Sequence, residues 1–173
     1  MAGLITNCKP FYGDLCDEIR LFFMEKKIEE TEEAGENGLF INAFLLEDGD
    51  EWQADCNVIL DGKTMHAYKN GTRAEIGSAL QIKKMKKRFI KNALYNLLKE
   101  YTKTKPPWGS LTGIRPTKLA RELLAGMGEG AQPFFKKEFD VDESKTKLAF
   151  DIAGNQLPLI QKIQPNDIAI YLG

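Results

Sequence analysis

The spacing of apolar positions along the chain changes period twice. After a short apolar start from Leu4 to Asn7, the residues Phe11, Leu15, Ile19 and Phe22 recur every three or four positions. Tyr12, Cys16 and Phe23 lie beside them, while Asp14, Asp17, Glu18 and Arg20 fill the other face. That is the stripe of an amphipathic helix. The following stretch, EKKIEETEEAGENG, is poor in apolar residues and closes on Gly35, Asn37 and Gly38, which reads as a helix end and an exposed loop or strand lead-in. From Leu39 the period falls to two. Leu39 to Leu46 runs to the turn signal Glu47-Asp48-Gly49-Asp50. Trp52, Ala54, Cys56, Val58 and Leu60 then alternate with polar residues up to the hairpin signal Asp61-Gly62. A third strand, Lys63 to Lys69, is expected to stop before Asn70-Gly71. The product is an antiparallel meander with one buried face, in which Cys56 is a core thiol on the Trp52 side. His66 has no carboxylate or cysteine at a catalytic spacing and reads as a strand-surface histidine.

The period then returns to 3.6. Ser78 followed by Gln81 fits a capping box. The helix it opens carries Ile82, Met85, Phe89, Ala93, Leu97 and Tyr101 in one stripe, flanked by Ile90, Leu94 and Leu98. Six of the nine residues from Lys83 to Lys91 are basic. Lys84, Arg88 and Lys91 fall opposite the stripe, but Lys86 projects into its middle, so either the first two turns protrude or Lys86 snorkels to the edge. Pro106-Pro107 closes this helix. A further helix is expected from Thr117 to Ala125, stopping at Gly126, and Pro133 begins a short segment carrying Phe134, Phe135 and Phe139. Asp142 can cap a helix through Leu148 and Ile152 that Pro158 must kink or end. The last residues, Asn166 to Gly173, read as an apolar strand with nothing following it, as if the opening strand of a larger unit had been cut short.

Charge changes the picture more than composition does. The 173 residues carry a net charge of −1, but between Asp14 and Asp55 there are 14 acids and 3 bases, and between Asp61 and Arg121 there are 3 acids and 15 bases. The basic block could meet an anion, or it could face the acidic block of the same molecule, and internal balance is the favoured reading. The three cysteines, Cys8, Cys16 and Cys56, are odd in number and widely spaced, with no C-x2-C pair to start a zinc site. A reducing cytoplasm is therefore expected. There is no signal-peptide pattern and no uncharged run of transmembrane length, so secretion and membrane insertion are disfavoured.

No catalytic constellation is complete, and neither a phosphate loop nor a dinucleotide fingerprint is present. The informative segment is the loop from Trp108 to Pro116. Trp108, Ser110, Thr112, Gly113 and Arg115, with Lys118 and Arg121 one turn on, could present N–H groups, hydroxyls and a guanidinium to an anion. The competing reading is a tight turn with Trp108 buried and Arg115 salt-bridged.

The run PPWGSLTGIRPTKLARELL resembles the P-W-G-x-L-T-G-I/V-R-P-x-K signature of the oxygen-independent coproporphyrinogen III oxidase-like radical-SAM proteins of the HemZ type, the coproporphyrinogen dehydrogenases. The order of elements around it is also similar, up to the terminal N-D-I-A-I-Y-L-G. The resemblance implies that the last strand is the first of a radical-SAM barrel. In the family, a Y-x-x-I-P-F-C run then leads to a C-x3-C-x2-C loop that holds a 4Fe-4S cluster. It places Tyr171 near bound S-adenosyl-L-methionine. It further implies a full-length oxidoreductase that oxidatively decarboxylates the propionates of a porphyrinogen in haem biosynthesis, with an electron donor and its own barrel as partners. Cys8, Cys16 and Cys56 do not match the cluster motif, so neither cofactor is expected within this stretch, which is expected to be inactive alone.

The expected fold class is α+β: a small antiparallel meander sheet with helices over residues 1–102, then a helical connector over 103–165 and a truncated barrel strand over 166–173. Trp108, Ser110, Thr112, Gly113, Arg115 and Lys118 are the candidate interdomain or substrate contacts. The rival reading is a nucleic-acid-binding or purely structural interaction module using the basic helix at 83–91. Against the first of these, no exposed aromatic is interleaved with the bases, since Phe89 lies in the apolar stripe.

Overall fold

The computed structural model describes residues 1–35, 37–60, 62–72 and 78–160, with side chains through 158. The chain divides into two compact units, Met1–Pro106 and Pro107–Gly173.

The first unit is a five-stranded sheet with two helices. The strands are β1 (Ala2–Thr6), β2 (Ile28–Glu30), β3 (Leu39–Asp48), β4 (Glu51–Leu60) and β5 (Lys63–Thr72), in the spatial order β2-β1-β3-β4-β5. Strands β3, β4 and β5 form the expected antiparallel meander, in unbroken register from Leu39↔Leu60 to Asp48↔Glu51 and from Glu51↔Thr72 to Leu60↔Lys63. The sheet is wider than the alternating pattern indicated. The apolar start is a strand paired parallel to both β2 and β3, and the acidic stretch contains the three residues of β2. Three residues are too few to show a period, and their partner lies 26 positions away, from Ala2 to Ile28.

Parallel neighbours need a crossover. From β1 to β2 it is made by helix α1 (Tyr12–Arg20), entered through a 3-10 turn at Lys9–Phe11. From β2 to β3 the chain passes the opposite face of β1. There the Thr31 Cγ2 lies 2.8 Å from where a Cβ on Gly3 would stand, and Phe40 lies closer still, so only glycine admits the crossing.

Helix α2 (Ala79–Thr102) opens with the expected capping box: Gln81 N–H donates to Ser78 Oγ at 3.3 Å and Ser78 N–H to Gln81 Oε1 at 2.7 Å. Its stripe packs with Leu4, Leu15, Ile19, Ile41, Cys56 and Val58 in one core. Strand β5 does not stop before Asn70-Gly71. Gly71 continues it because the Phe89 ring lies 2.6 Å from where its Cβ would be, so the glycine answers to packing, not to a turn.

The second unit packs α3 (Pro116–Met127), α4 (Ala131–Phe139) and α5 (Glu143–Ile160) around Phe135, Phe139, Val141, Ala149 and Phe150. Helix α3 runs through Gly126 and stops instead at Gly128, whose φ of 54° cannot continue a helix. In α5 the Thr146 N–H donates to the Asp142 carbonyl at 2.8 Å. Pro158 does not end α5, which continues to Ile160. The strand expected at 166–173 lies outside the described residues.

Candidate functional site

The loop from Trp108 to Arg115 is fastened at one end and displayed at the other. Its first half wraps the junction of α4 and α5. Phe139 ends α4, Asp140 takes the left-handed conformation at φ 53°, and the turn leaves the Phe139 carbonyl pointing at the loop. Ser110 N–H donates to that carbonyl at 2.9 Å, and Asp142 N–H donates back to the Pro107 carbonyl at 3.0 Å. Gly109, at φ 56°, makes this approach possible. A Cβ there would collide with the Phe139 oxygen and come within 2.7 Å of the Asp140 carbonyl. Ser110, Leu111 and Thr112 are buried, and Trp108 is half-buried against the same core with Lys145 Nζ 5.7 Å over its ring.

The second half turns outward. Gly113 adopts φ 66° in open space, and Ile114, Arg115 and Lys118 are exposed. Arg115 is extended, at φ −80° and ψ 110°, as the following proline requires, and it stands as N-cap with Pro116 as the first helical residue. Arg115 makes no ion pair among the described residues, so the salt-bridged turn is not what forms. Lys118 lies 3.7 Å from Glu122 on the next turn of α3. Of the six residues singled out from the sequence, Trp108, Ser110 and Thr112 thus face the unit's own interior, and Gly113, Arg115 and Lys118 face outward. Tyr171 lies outside the described residues. The role of Gly109 was missed, because the carbonyl that leaves no room for its Cβ lies 30 residues away at Phe139.

Three of the six bases in the run on α2 are engaged by the acidic block. Lys86 Nζ meets Glu47 at 2.5 Å and lies 5.9 Å over the Trp52 ring, so this lysine does snorkel out of the stripe. Lys87 meets Asp14 at 3.0 Å, and Lys91 meets Glu18 at 3.3 Å. Lys91 is therefore not opposite the stripe: it is buried between α2 and α1. His66 stays on the strand surface as expected, but it does have a carboxylate partner. Nε2 lies 2.6 Å from Asp55 Oδ1 on β4, one diagonal step from its direct neighbour Asn57. That pairing follows from the hairpin register, which sequence spacing alone does not display.

The thiols do not suit an iron–sulfur cluster. Cys8 follows β1, Cys16 lies on α1 and Cys56 on β4, and all three are buried. Burial raises each thiol, Cys56 to about 12, where a cluster ligand must be a thiolate. Among the described residues no group of three or more His, Cys, Asp or Glu is placed to hold a metal ion, and no helix is long and apolar enough to cross a membrane.

Fold and loop together define an α+β unit joined to a helical one, whose first turn is a fastened loop carrying the W-G-S-L-T-G-I-R-P run. Among curated proteins the chain is similar to the oxygen-independent coproporphyrinogen-III oxidase-like protein HemZ of Bacillus subtilis (strain 168), 35% identical over 94 residues. That match takes in 52% of this chain and 19% of the relative, so it spans about a fifth of that protein's length. The resemblance read from the signature loop points to the same kind of protein. No family model matches the chain, and no solved structure matches it.

Proposed function

We propose that this chain is an accessory region of a coproporphyrinogen-oxidase-like enzyme of porphyrin biosynthesis, inactive by itself, whose signature loop docks against a catalytic radical-SAM barrel. In this reading the barrel supplies the 4Fe-4S cluster and S-adenosyl-L-methionine, and the whole enzyme, fed by an electron donor, oxidatively decarboxylates the propionates of a porphyrinogen. The observation that carries it is the division of the loop. Ser110 and Thr112 are buried in their own unit, while Gly113, Ile114 and Arg115 are held outward on a rigid base, with the guanidinium uncommitted among the described residues. An arginine displayed this way suits a carboxylate, whether on the barrel or on a substrate propionate, and domain docking is the preferred partner. The relative's name supports the pathway, and the basic helix supports it by default, since half of the cations in its basic run are paired with acids of the same unit.

The test is Arg115→Ala. The unfolding midpoint of this chain should not move, and turnover per folded molecule of the intact enzyme should fall by about tenfold, the scale of losing one well-placed arginine contact. Loss of stability in the chain with unchanged turnover would make Arg115 a local structural residue and sink the docking role.

A further inference from the structure

A cleft of about 610 Å³ opens in the first unit, far in sequence from the signature loop and unused by the reading above. Its position follows from topology. Strands β2, β1 and β3 are parallel and lie in that order. At its carboxyl end β1 hands the chain to α1 and so to β2 on one side, while β3 at its carboxyl end turns into β4 on the other. Because β1 stops at Thr6 while β3 runs on to Asp48, a crevice opens beyond the carboxyl end of β1, between the end of β3 and α2.

The cleft lies at that point. Asn7, just past β1, and Leu45 and Glu47, at the end of β3, form its floor with Phe11 at the approach to α1; Ile82, Lys83 and Lys86 of α2 form its wall. The floor is braced, because the Asn7 carboxamide donates to the Leu45 carbonyl at 2.8 Å and accepts from the Leu45 N–H at 2.9 Å, continuing the β1–β3 pairing by one side chain. The charges of the wall are unequal. Glu47 is neutralised by Lys86, whereas Lys83 is exposed and makes no ion pair among the described residues. The capping box of Ser78 and Gln81 already engages the helix terminus, so the cation presented to the cleft is the Lys83 ammonium.

We propose that this cleft binds a small organic anion whose apolar body rests on Phe11, Leu45 and Ile82 and whose carboxylate meets Lys83. The volume admits a body of two or three fused rings, and the apolar floor with one uncommitted cation gives the charge and shape to match. The site stands whether or not the docking role of Arg115 does, because it shares no residue with that loop.

The probe is 1-naphthaleneacetate, compared with the uncharged 1-naphthaleneacetamide, titrated into the chain and followed by amide chemical shifts. Saturable shifts are expected at Asn7, Phe11, Leu45 and Ile82, with the carboxylate binding about five- to tenfold tighter than the amide, the range of one charge-assisted contact at a half-exposed site. Lys83→Ala should erase that preference, and Lys84→Ala, one residue on but not lining the cleft, should keep it. Equal affinity for the two probes, shifts centred elsewhere, a preference that survives Lys83→Ala, or no saturation up to about 10 mM would each overturn the proposal.

Discussion

Glu18 of α1 and Lys91 of α2 form an ion pair, Nζ to Oε2 3.3 Å, in which neither side chain is more than 6% exposed. Taking both charges out of water is costly, and their attraction offsets that cost only while both remain. Lys91→Met alone should therefore destabilise the first unit by about 3 to 5 kcal/mol, because a buried carboxylate is left without its cation. Adding Glu18→Leu to it should recover most of the loss. Urea unfolding of the two single variants and the double variant measures this, and strictly additive losses would show that the pair is not coupled.

The same pair marks how far the sequence could be read. The stripe of α2, its capping box and the β3–β4–β5 meander were legible because each is a local pattern: a period, a cap, a turn. Lys91 was misplaced because a helix's own periodicity says which residues are apolar but not where a second helix will lie, and α1 covers the flank on which Lys91 stands. Strand β2 was missed for the same kind of reason, being three residues held by a parallel partner. At the loop, Pro116 and its effect on Arg115 were legible from the chemistry of proline. The burial of Ser110 and Thr112 was not, since it depends on a carbonyl that α4 releases at Phe139, 29 residues beyond Ser110.

Burial raises the Cys56 thiol to about 12 from its ordinary 9.0. For an acid with a raised folded value the sign runs against alkali. Below about pH 9 the thiol is protonated in both states and contributes nothing; above it the unfolded chain releases a proton that the folded chain retains, and stability falls until the pH passes the folded value. One thiol over this window amounts to about 4 kcal/mol at about 1.4 kcal/mol per pH unit. The alkaline fall in stability should thus be shallower by roughly that slope in Cys56→Ala than in the parent chain, measured by urea midpoints from pH 8.5 to 11. Parallel curves would show that Cys56 is not the group responsible.

Gly109 carries two constraints at once, a φ of 56° and contact with the Phe139 carbonyl that leaves no room for a Cβ. Gly109→Ala must either push the loop off the α4–α5 junction or strain it, and a loss of about 3 kcal/mol or more is expected. The loss should be local. Hydrogen exchange at the Ser110 and Asp142 amides, which close the junction, should accelerate, while amides of β3 and β4 keep their protection. Gly113→Ala is the contrast: its φ is also positive, but nothing lies within 4 Å of the added methyl, so only the smaller conformational cost of about 1 kcal/mol applies.

The pairing of α2 with the acidic block sets an upper limit on how strongly the basic run of this helix can hold nucleic acid. A protein that neutralises several phosphates releases as many counterions, and its affinity for a single strand falls with the logarithm of salt at a slope of about −0.7 per phosphate. Of the basic run, Lys86, Lys87 and Lys91 are committed to Glu47, Asp14 and Glu18, leaving Lys83 and Lys84 as the two lysines of the run that make no ion pair among the described residues. Even with Arg88 counted beside them, three cations predict a slope no steeper than about −2.1 and weak retention that vanishes at physiological salt. Fluorescence anisotropy of a labelled single-stranded RNA between low and physiological salt checks it. A slope of −3 or steeper would require the internal pairs to open in favour of phosphate, and the nucleic-acid reading of this helix would then displace the docking one.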